Sequence, residues 1–380
     1  MKARAINAKS LEEFKSQIEE AKRQHPTFSL CILFCSITFS VKDIQYICIQ
    51  NELDLFGCTS SGEITDGQFY TSQTISGLIL SMPSDSYRVV ECDRMGDDSF
   101  DMAFRAGKSV ENLFAEQSIL LLAQGVGANA DLIIQGLQHA IGKSTSLFGG
   151  LAGDNLALKR TYVFSSEAIY SDGLMMLVLD NQKVQLHGLA TSGWEAIGVF
   201  HEVTEAENNV LLGIDHQPAL DVFLRYFGSF DDANVGLEAS ENTSAQYPLQ
   251  ILRDDGSLVL RAPLFGDTNR RALVLAGGIK KGDKFRFSIS PGFEVINQTV
   301  EEFGALQKKA PDADALILFS CIGRLGAFGP LMEDEVRGIF EYWDKPMIGF
   351  FSYGEIGATE GAQCDFHNET CTLVSLKDIS

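Results

Sequence analysis

An eight-residue pattern occurs twice, near opposite ends of the chain, and it constrains the fold more than any other feature. Gly57-Cys58-Thr59-Ser60-Ser61-Gly62-Glu63-Ile64 and Gly349-Phe350-Phe351-Ser352-Tyr353-Gly354-Glu355-Ile356 both read G-x-x-S-x-G-E-I. Each follows a short apolar run, residues 53–56 and 347–348. Two glycines bracketing a serine at a strand end suit a tight turn where backbone approaches another part of the molecule. The Glu sets a carboxylate beside that turn. A repeated loop of this kind predicts duplicated architecture, with loops that converge on one site.

The flanks repeat as well. Before the first copy the spacing predicts a helix over Leu11–Gln24, an apolar strand over 29–35, a helix over Val41–Gln50 and a strand from Leu53. Before the second copy it predicts a helix over 300–309, a strand over 315–320, a Gly-rich loop over 321–330, a helix over Met332–Trp343 and a strand over 346–349. A degenerate third copy lies between them. Residues 100–114 carry apolar side chains at helical spacing, 118–123 read as a strand, 124–129 as a Gly-rich loop and 132–141 as a helix. Leu147-Phe148-Gly149-Gly150-Leu151-Ala152-Gly153-Asp154 then gives the Gly-acid loop, one residue shorter and with Asp for Glu.

Extended segments follow each loop, at 74–82, 173–179 and 370–376. The order predicts an α/β fold with mixed α+β character: mixed sheets covered by helices, built from strand-helix-strand units in two halves. Different material separates the second and third units. Residues 184–197, 259–262, 272–276 and 285–289 read as strands, 218–227 as a helix after Asp215, and 228–248 as a polar, poorly ordered excursion. A boundary near Gln217 divides the chain into domains 1–217 and 218–380.

The length of 380 residues allows each half its own core. A formal net charge of -21 repels a phosphate backbone or an anionic lipid surface, which argues against nucleic acid and membrane as partners. The first seven residues carry no apolar segment, so an ordinary signal peptide is not expected. The longest apolar stretch, 30–41, is shorter than the about 20 residues a spanning helix needs. A cytoplasmic location is expected. The eight cysteines mostly sit in apolar runs and read as small buried hydrophobes. Cys364-x-x-His367-x-x-x-Cys371 offers three metal ligands without a fourth at suitable spacing.

Five blocks, in order, resemble the FIST family. They are Phe56-Gly57-Cys58-Thr59-Ser60-Ser61-Gly62-Glu63-Ile64; Phe148-Gly149-Gly150-Leu151-Ala152-Gly153-Asp154; Gly193-Trp194 with Ile197-Gly198, Val203-Thr204 and Pro218-Ala219-Leu220; Phe319-Ser320-Cys321-Ile322-Gly323-Arg324; and the Gly349 to Ile356 pattern with His367-Asn368-Glu369-Thr370. The resemblance implies a bacterial ligand-sensing module of signal transduction, with FIST N-terminal and C-terminal halves and small ligands such as amino acids. Some stand-alone members of this layout bind haem and sense nitric oxide, acting on a separate histidine kinase or cyclic-dinucleotide enzyme. No kinase, receiver, cyclic-dinucleotide or F-box segment is read in this chain, so output is expected to pass to another protein.

Ligand contact is expected from Ser60 and Glu63 in the N-terminal half and from Arg324, Tyr353 and Glu355 in the C-terminal half. Arg324 would hold an anionic group through its guanidinium fork, and Glu63 or Glu355 an amine. The alternative is structural: Glu63, Asp154 and Glu355 fix their own loops, with Ser60 and Ser352, and Arg324 forms a salt bridge to Glu355 or to the acidic surface. Gly57, Gly62, Gly149, Gly153, Asp154, Gly349 and Gly354 are expected to shape the loops. If haem b is the cofactor, His187 is the preferred axial ligand over His25, His139, His201, His216 and His367. Gly142-Lys143-Ser144-Thr145 lacks the earlier glycine of a phosphate loop. Gly125-Val126-Gly127-Ala128-Asn129-Ala130 follows a strand and opens a helix, as a dinucleotide loop does. An enzyme would use Cys58 or Cys321 as nucleophile, but neither has a histidine nearby in sequence.

Overall fold

Three six-stranded sheets share one pattern of pairing. In the first, the order is Ala3–Ala8, Ile75–Leu80, Leu30–Ser36 and Asp54–Ser60, with only the last two parallel. The second repeats it with Tyr87–Asp93, Gly173–Asp180, Gln117–Ala123 and Ser146–Leu151. The third repeats it with Val184–Thr191, Cys371–Asp378, Ala315–Cys321 and Met347–Ser352. The computed structural model describes residues 1–228, 247–290, 292 and 294–380. Most of the polar excursion expected at 228–248 lies outside the described residues.

Each sheet is completed by a short antiparallel pair from another unit. Val163–Ser165 with Ile169–Tyr170 leaves the second unit and joins the first sheet beside Asp54–Ser60. Glu355–Gly357 with Asp365–His367 leaves the third unit and joins the second sheet beside Ser146–Leu151. Glu63–Thr65 with Gln68–Tyr70 leaves the first unit and joins the third sheet beside Met347–Ser352. The three units thus pass a strand pair around a closed ring. Otherwise exposed sheet edges are covered in the process.

Strand sequences read as continuous apolar runs because both faces are buried. In the first sheet Ile32 and Phe34 face a core common to all three sheets, while Cys31, Leu33 and Cys35 face the first unit's own helices. Ile317 and Phe319 alternate in the same way with Leu316 and Leu318. Phe34 lies 4.5 Å from Phe350 and 6.2 Å from Phe319 between ring centroids, so this core ties the first and third units directly.

Side-chain caps start the outer helices. Ser10 accepts from the Glu13 N–H before Leu11–Gln24, Ser40 from Asp43 before Val41–Gln50, Asp98 from Asp101 before Ser99–Val110, and Asn129 from Leu132 before Ala130–Ile141. Glu294–Lys309 and Met332–Trp343 cover the third sheet through Phe303, Leu306, Val336 and Ile339.

Two expectations need correction. The run 184–197 is not one strand: Val184–Thr191 and Glu195–Glu207 belong to different sheets. Gly193 turns the chain between them at φ +73°, where a Cβ would lie 2.1 Å from Val295 Cγ2. The segment 321–330 is not an open loop but a short helix, Ile322–Phe328, followed by a 3-10 turn, Gly329–Leu331. Between Val184–Thr191 and Glu294–Lys309 the chain builds an additional eight-stranded sheet, packed on helix Ala219–Phe227. The expected boundary near Gln217 falls within this insertion. Among the described residues no helix is long and apolar enough to cross a membrane.

Candidate functional site

The three Gly-acid loops meet where the strand pairs leave their own units. Ser61 N–H donates to Phe351 O at 3.1 Å, and Phe351 N–H returns a bond to Gly62 O at 2.8 Å. Leu151 N–H donates to Gly354 O at 2.9 Å, and Tyr353 N–H to Leu151 O at 3.1 Å. Gly153 N–H donates to Thr59 O at 2.9 Å. Every loop is therefore bonded to both others. Gly153 can take its place because it lacks a Cβ, which would lie 2.3 Å from Ser61 Oγ.

The two Glu copies occupy equivalent cradles. Glu63 accepts hydroxyl bonds from Ser60 and Thr74. Glu355 accepts from Ser352, and from Thr370 Oγ1 at 2.8 Å. Both carboxyls are buried. Burial outweighs the hydroxyl bonds and pushes Glu63 up to about 7 and Glu355 up to about 8. Asp154 has another role. Its carboxylate accepts the Leu158, Lys159 and Arg160 N–H groups at 2.8–2.9 Å and also the Tyr353 hydroxyl. Tyr353 OH in turn accepts Leu156 N–H at 2.8 Å.

Beside Glu355 lies a second buried acid that sequence reasoning did not select. Glu369 sits at φ +56°. Its Oε2 is buried without a hydrogen-bond partner, as are Asn368 Oδ1 and Thr372 Oγ1. Burial pushes Glu369 up to about 8 against the opposing pull of Arg324. The Cys321 thiol, next to both Glu355 and Glu369, is pushed well up, first by burial and then by these acids.

Arg324 is fully buried. Its guanidinium pairs with Glu335, donates to Ser192 O at 2.6 Å and Glu369 O at 3.4 Å, and packs on Trp194 and Phe328. A ligand carboxylate would reach it only by displacing Glu335. Arg324 does form a salt bridge, but to the fully buried Glu335, which is neither Glu355 nor part of the acidic surface.

The chain matches the family model of the FIST N domain over residues 29–217 and that of the FIST C domain over residues 219–358. The chain belongs to the FIST family. FIST domains are sensory domains of signal-transduction proteins. No curated protein matches the chain. The two FIST models divide this chain within the inserted sheet, whereas the repeated units close a ring that includes both halves.

The remaining candidates in this FIST protein are spread elsewhere. His187 is half-buried on strand Val184–Thr191, an edge of the third sheet. Two surface cavities of about 430 and 540 Å³ adjoin the first helix. The first has His25 in its wall, but with Lys2, Arg4 and Gln24, and neither is lined by His187. Among the described residues no three His, Cys, Asp or Glu side chains are placed to hold a metal ion. Cys58, like Cys321, is buried with its thiol pushed well up, opposite to what a thiolate nucleophile needs. Gly125 packs against Ala152, whose carbonyl oxygen would lie 1.8 Å from an added Cβ.

Thr74 and Glu335 were not singled out from sequence, and Glu369 and Thr370 entered only within the His367–Thr370 block, with no role assigned to them. For the two threonines a positional signal was available: each directly precedes the last strand of its unit, Ile75–Leu80 or Cys371–Asp378.

Proposed function

We propose that this FIST protein senses a small donor-rich ligand, such as an amino acid or a primary amine, and relays occupancy to a separate partner such as a histidine kinase or a cyclic-dinucleotide enzyme. The observation that carries the proposal is the buried, unpartnered Glu369 Oε2 beside Glu355. A buried polar atom without a partner costs about 1–3 kcal/mol, and a ligand ammonium would satisfy it. Asn368 Oδ1 and Thr372 Oγ1 add further acceptors. Buried acids with raised pKa values cluster at functional sites.

Ser60, Glu63, Tyr353 and Glu355 form the surrounding shell in this proposal. Arg324 takes an anionic ligand group only in a state where Glu335 has moved away. Because Glu355 and Glu369 are closed off from solvent, the ligand must favour an opened arrangement of the loops. That differential affinity is what a relay to another protein requires. A cytoplasmic location fits the eight free cysteines, which persist in a reducing compartment.

The test is a thermal-shift screen of the protein against free amino acids and short primary amines. At least one should raise the melting temperature by several degrees. Glu369→Gln should weaken that response at least tenfold in concentration, while His187→Ala leaves it intact. A flat screen, together with a Soret band from protein made with a haem precursor and lost in His187→Ala, would replace the amine reading with a haem sensor.

A further inference from the structure

No acid-base pair is visible in the sequence, yet the inserted sheet assembles one. His201 on strand Glu195–Glu207 places Nδ1 2.6 Å from Asp215 Oδ2 and Nε2 3.2 Å from the Tyr226 hydroxyl. These residues lie on the eight-stranded sheet and helix Ala219–Phe227, apart from the three convergent loops.

The geometry sets the proton positions. A carboxylate only accepts, so Nδ1–H donates to Asp215, and in the neutral imidazole the Nε2 lone pair then faces the Tyr226 O–H. Asp215 is held in place by the Glu202 N–H at 2.9 Å on Oδ1 and sits in a turn at φ +48°. Its carboxyl is kept below the usual range: burial opposes this, and the Glu202 N–H with His201 outweighs it. The imidazole is wedged against Phe285 and Phe287, at centroid distances of 5.6 and 5.5 Å, and is only 7% exposed. Tyr226, by contrast, is 47% exposed, so a reagent can reach the phenol. Nucleophile, base and orienting carboxylate are thus arranged as in an activated-nucleophile site.

We propose that Tyr226 is a self-acylation site, with His201 as its general base and Asp215 as the residue that positions His201. The co-reactant is an activated carboxylic ester or thioester. The Tyr226 oxygen attacks the acyl carbonyl carbon as its proton passes to His201 Nε2. The bond to the leaving group then breaks, and the departing alkoxide or thiolate takes the proton from His201. The products are acyl-Tyr226 and a free alcohol or thiol. An acyl group suits the surroundings better than a phosphoryl group: Asp215 and Glu202 lie beside the site on a chain of net charge -21, and Phe227 and Phe287 present apolar rings to Tyr226.

The probe is p-nitrophenyl acetate applied to the full chain, with p-nitrophenolate release followed in time and the acetyl group located by peptide mass spectrometry. About one equivalent should be released rapidly, with the acetyl on Tyr226. Tyr226→Phe, which removes one hydroxyl from a half-exposed ring, should abolish that phase. His201→Gln should slow Tyr226 labelling about 100-fold. Asp215→Asn should lower the maximal labelling rate about tenfold while leaving the half-saturating ester concentration unchanged, a split that a loosened fold would not give. Acetyl groups confined to lysines and the amino terminus would overturn the proposal. So would equal Tyr226 labelling in His201→Gln. If His201→Gln does not fold, the site of labelling and the Tyr226→Phe result still decide.

Discussion

Glu63 and Glu355 are each buried between a serine three residues earlier and a threonine further along, 11 and 15 residues away respectively. Hydroxyl bonds alone do not make ionisation favourable there, so both carboxyls titrate above their unfolded value. The folded state therefore holds protons that the unfolded chain releases. The stability these groups supply is complete below about 4.5 and is lost as pH rises through 7 to 8. The melting temperature of the wild type should fall between pH 5 and pH 9. The net charge of -21 contributes to that fall as well. Glu63→Gln with Glu355→Gln isolates the carboxyl part: its melting curve should shift less with pH, by on the order of a few kcal/mol over this range. Parallel slopes for the two proteins would contradict the assignment. The repeated glycines were legible because their spacing is strict. Gly57 and Gly349 sit where a Cβ would lie 2.4 Å from Leu33 O and 2.2 Å from Leu318 O. Gly57→Ala and Gly349→Ala should each destabilise by about 1–3 kcal/mol in denaturant melts. The role of the partner threonines was not legible, because nothing local marks a residue that bonds back across a whole hairpin.

At the scale of elements, the outer helices and the apolar central strands were readable from apolar spacing, whereas the longest strand, Glu195–Glu207, was not. The exchanged strand pairs were not: a strand of three residues, such as Glu63–Thr65 or Glu355–Gly357, is too short to show a period. The helix Ile322–Phe328 was hidden for a different reason, since its two glycines, Gly323 and Gly326, lower helix propensity. Burial of Arg324 against Glu335 and Trp194 holds it in place. Removing one partner of such a pair leaves a buried unpaired charge. Arg324→Met should therefore destabilise by about 3–5 kcal/mol, and Arg324→Met with Glu335→Leu should recover most of that loss in the same chemical melt. Tyr353 links two loops through Asp154 and the Leu156 N–H. Tyr353→Phe should lose about 1–2 kcal/mol and speed amide exchange at Leu156, Leu158 and Lys159. Exchange unchanged at those amides would show that the hydroxyl does not hold the loop.

Across the whole molecule, duplication was legible and closure was not. The string at Gly57 and Gly349 pointed to repeated units, but whether those units stand side by side or interlock depends on where the strand pairs go. They go to the neighbours: first unit to third sheet, third to second, second to first. A ring built this way cannot open one unit without breaking an edge of another sheet, and it brings three acidic loops to one place. The most direct test is native-state hydrogen exchange at the central strands Leu30–Ser36, Gln117–Ala123 and Ala315–Cys321, one from each unit. Their slowest amides should exchange with one common free energy and one common denaturant dependence. If Ala315–Cys321 opened at clearly lower free energy while the other two strands stayed protected, the units would be independent and the interlocked ring would be wrong.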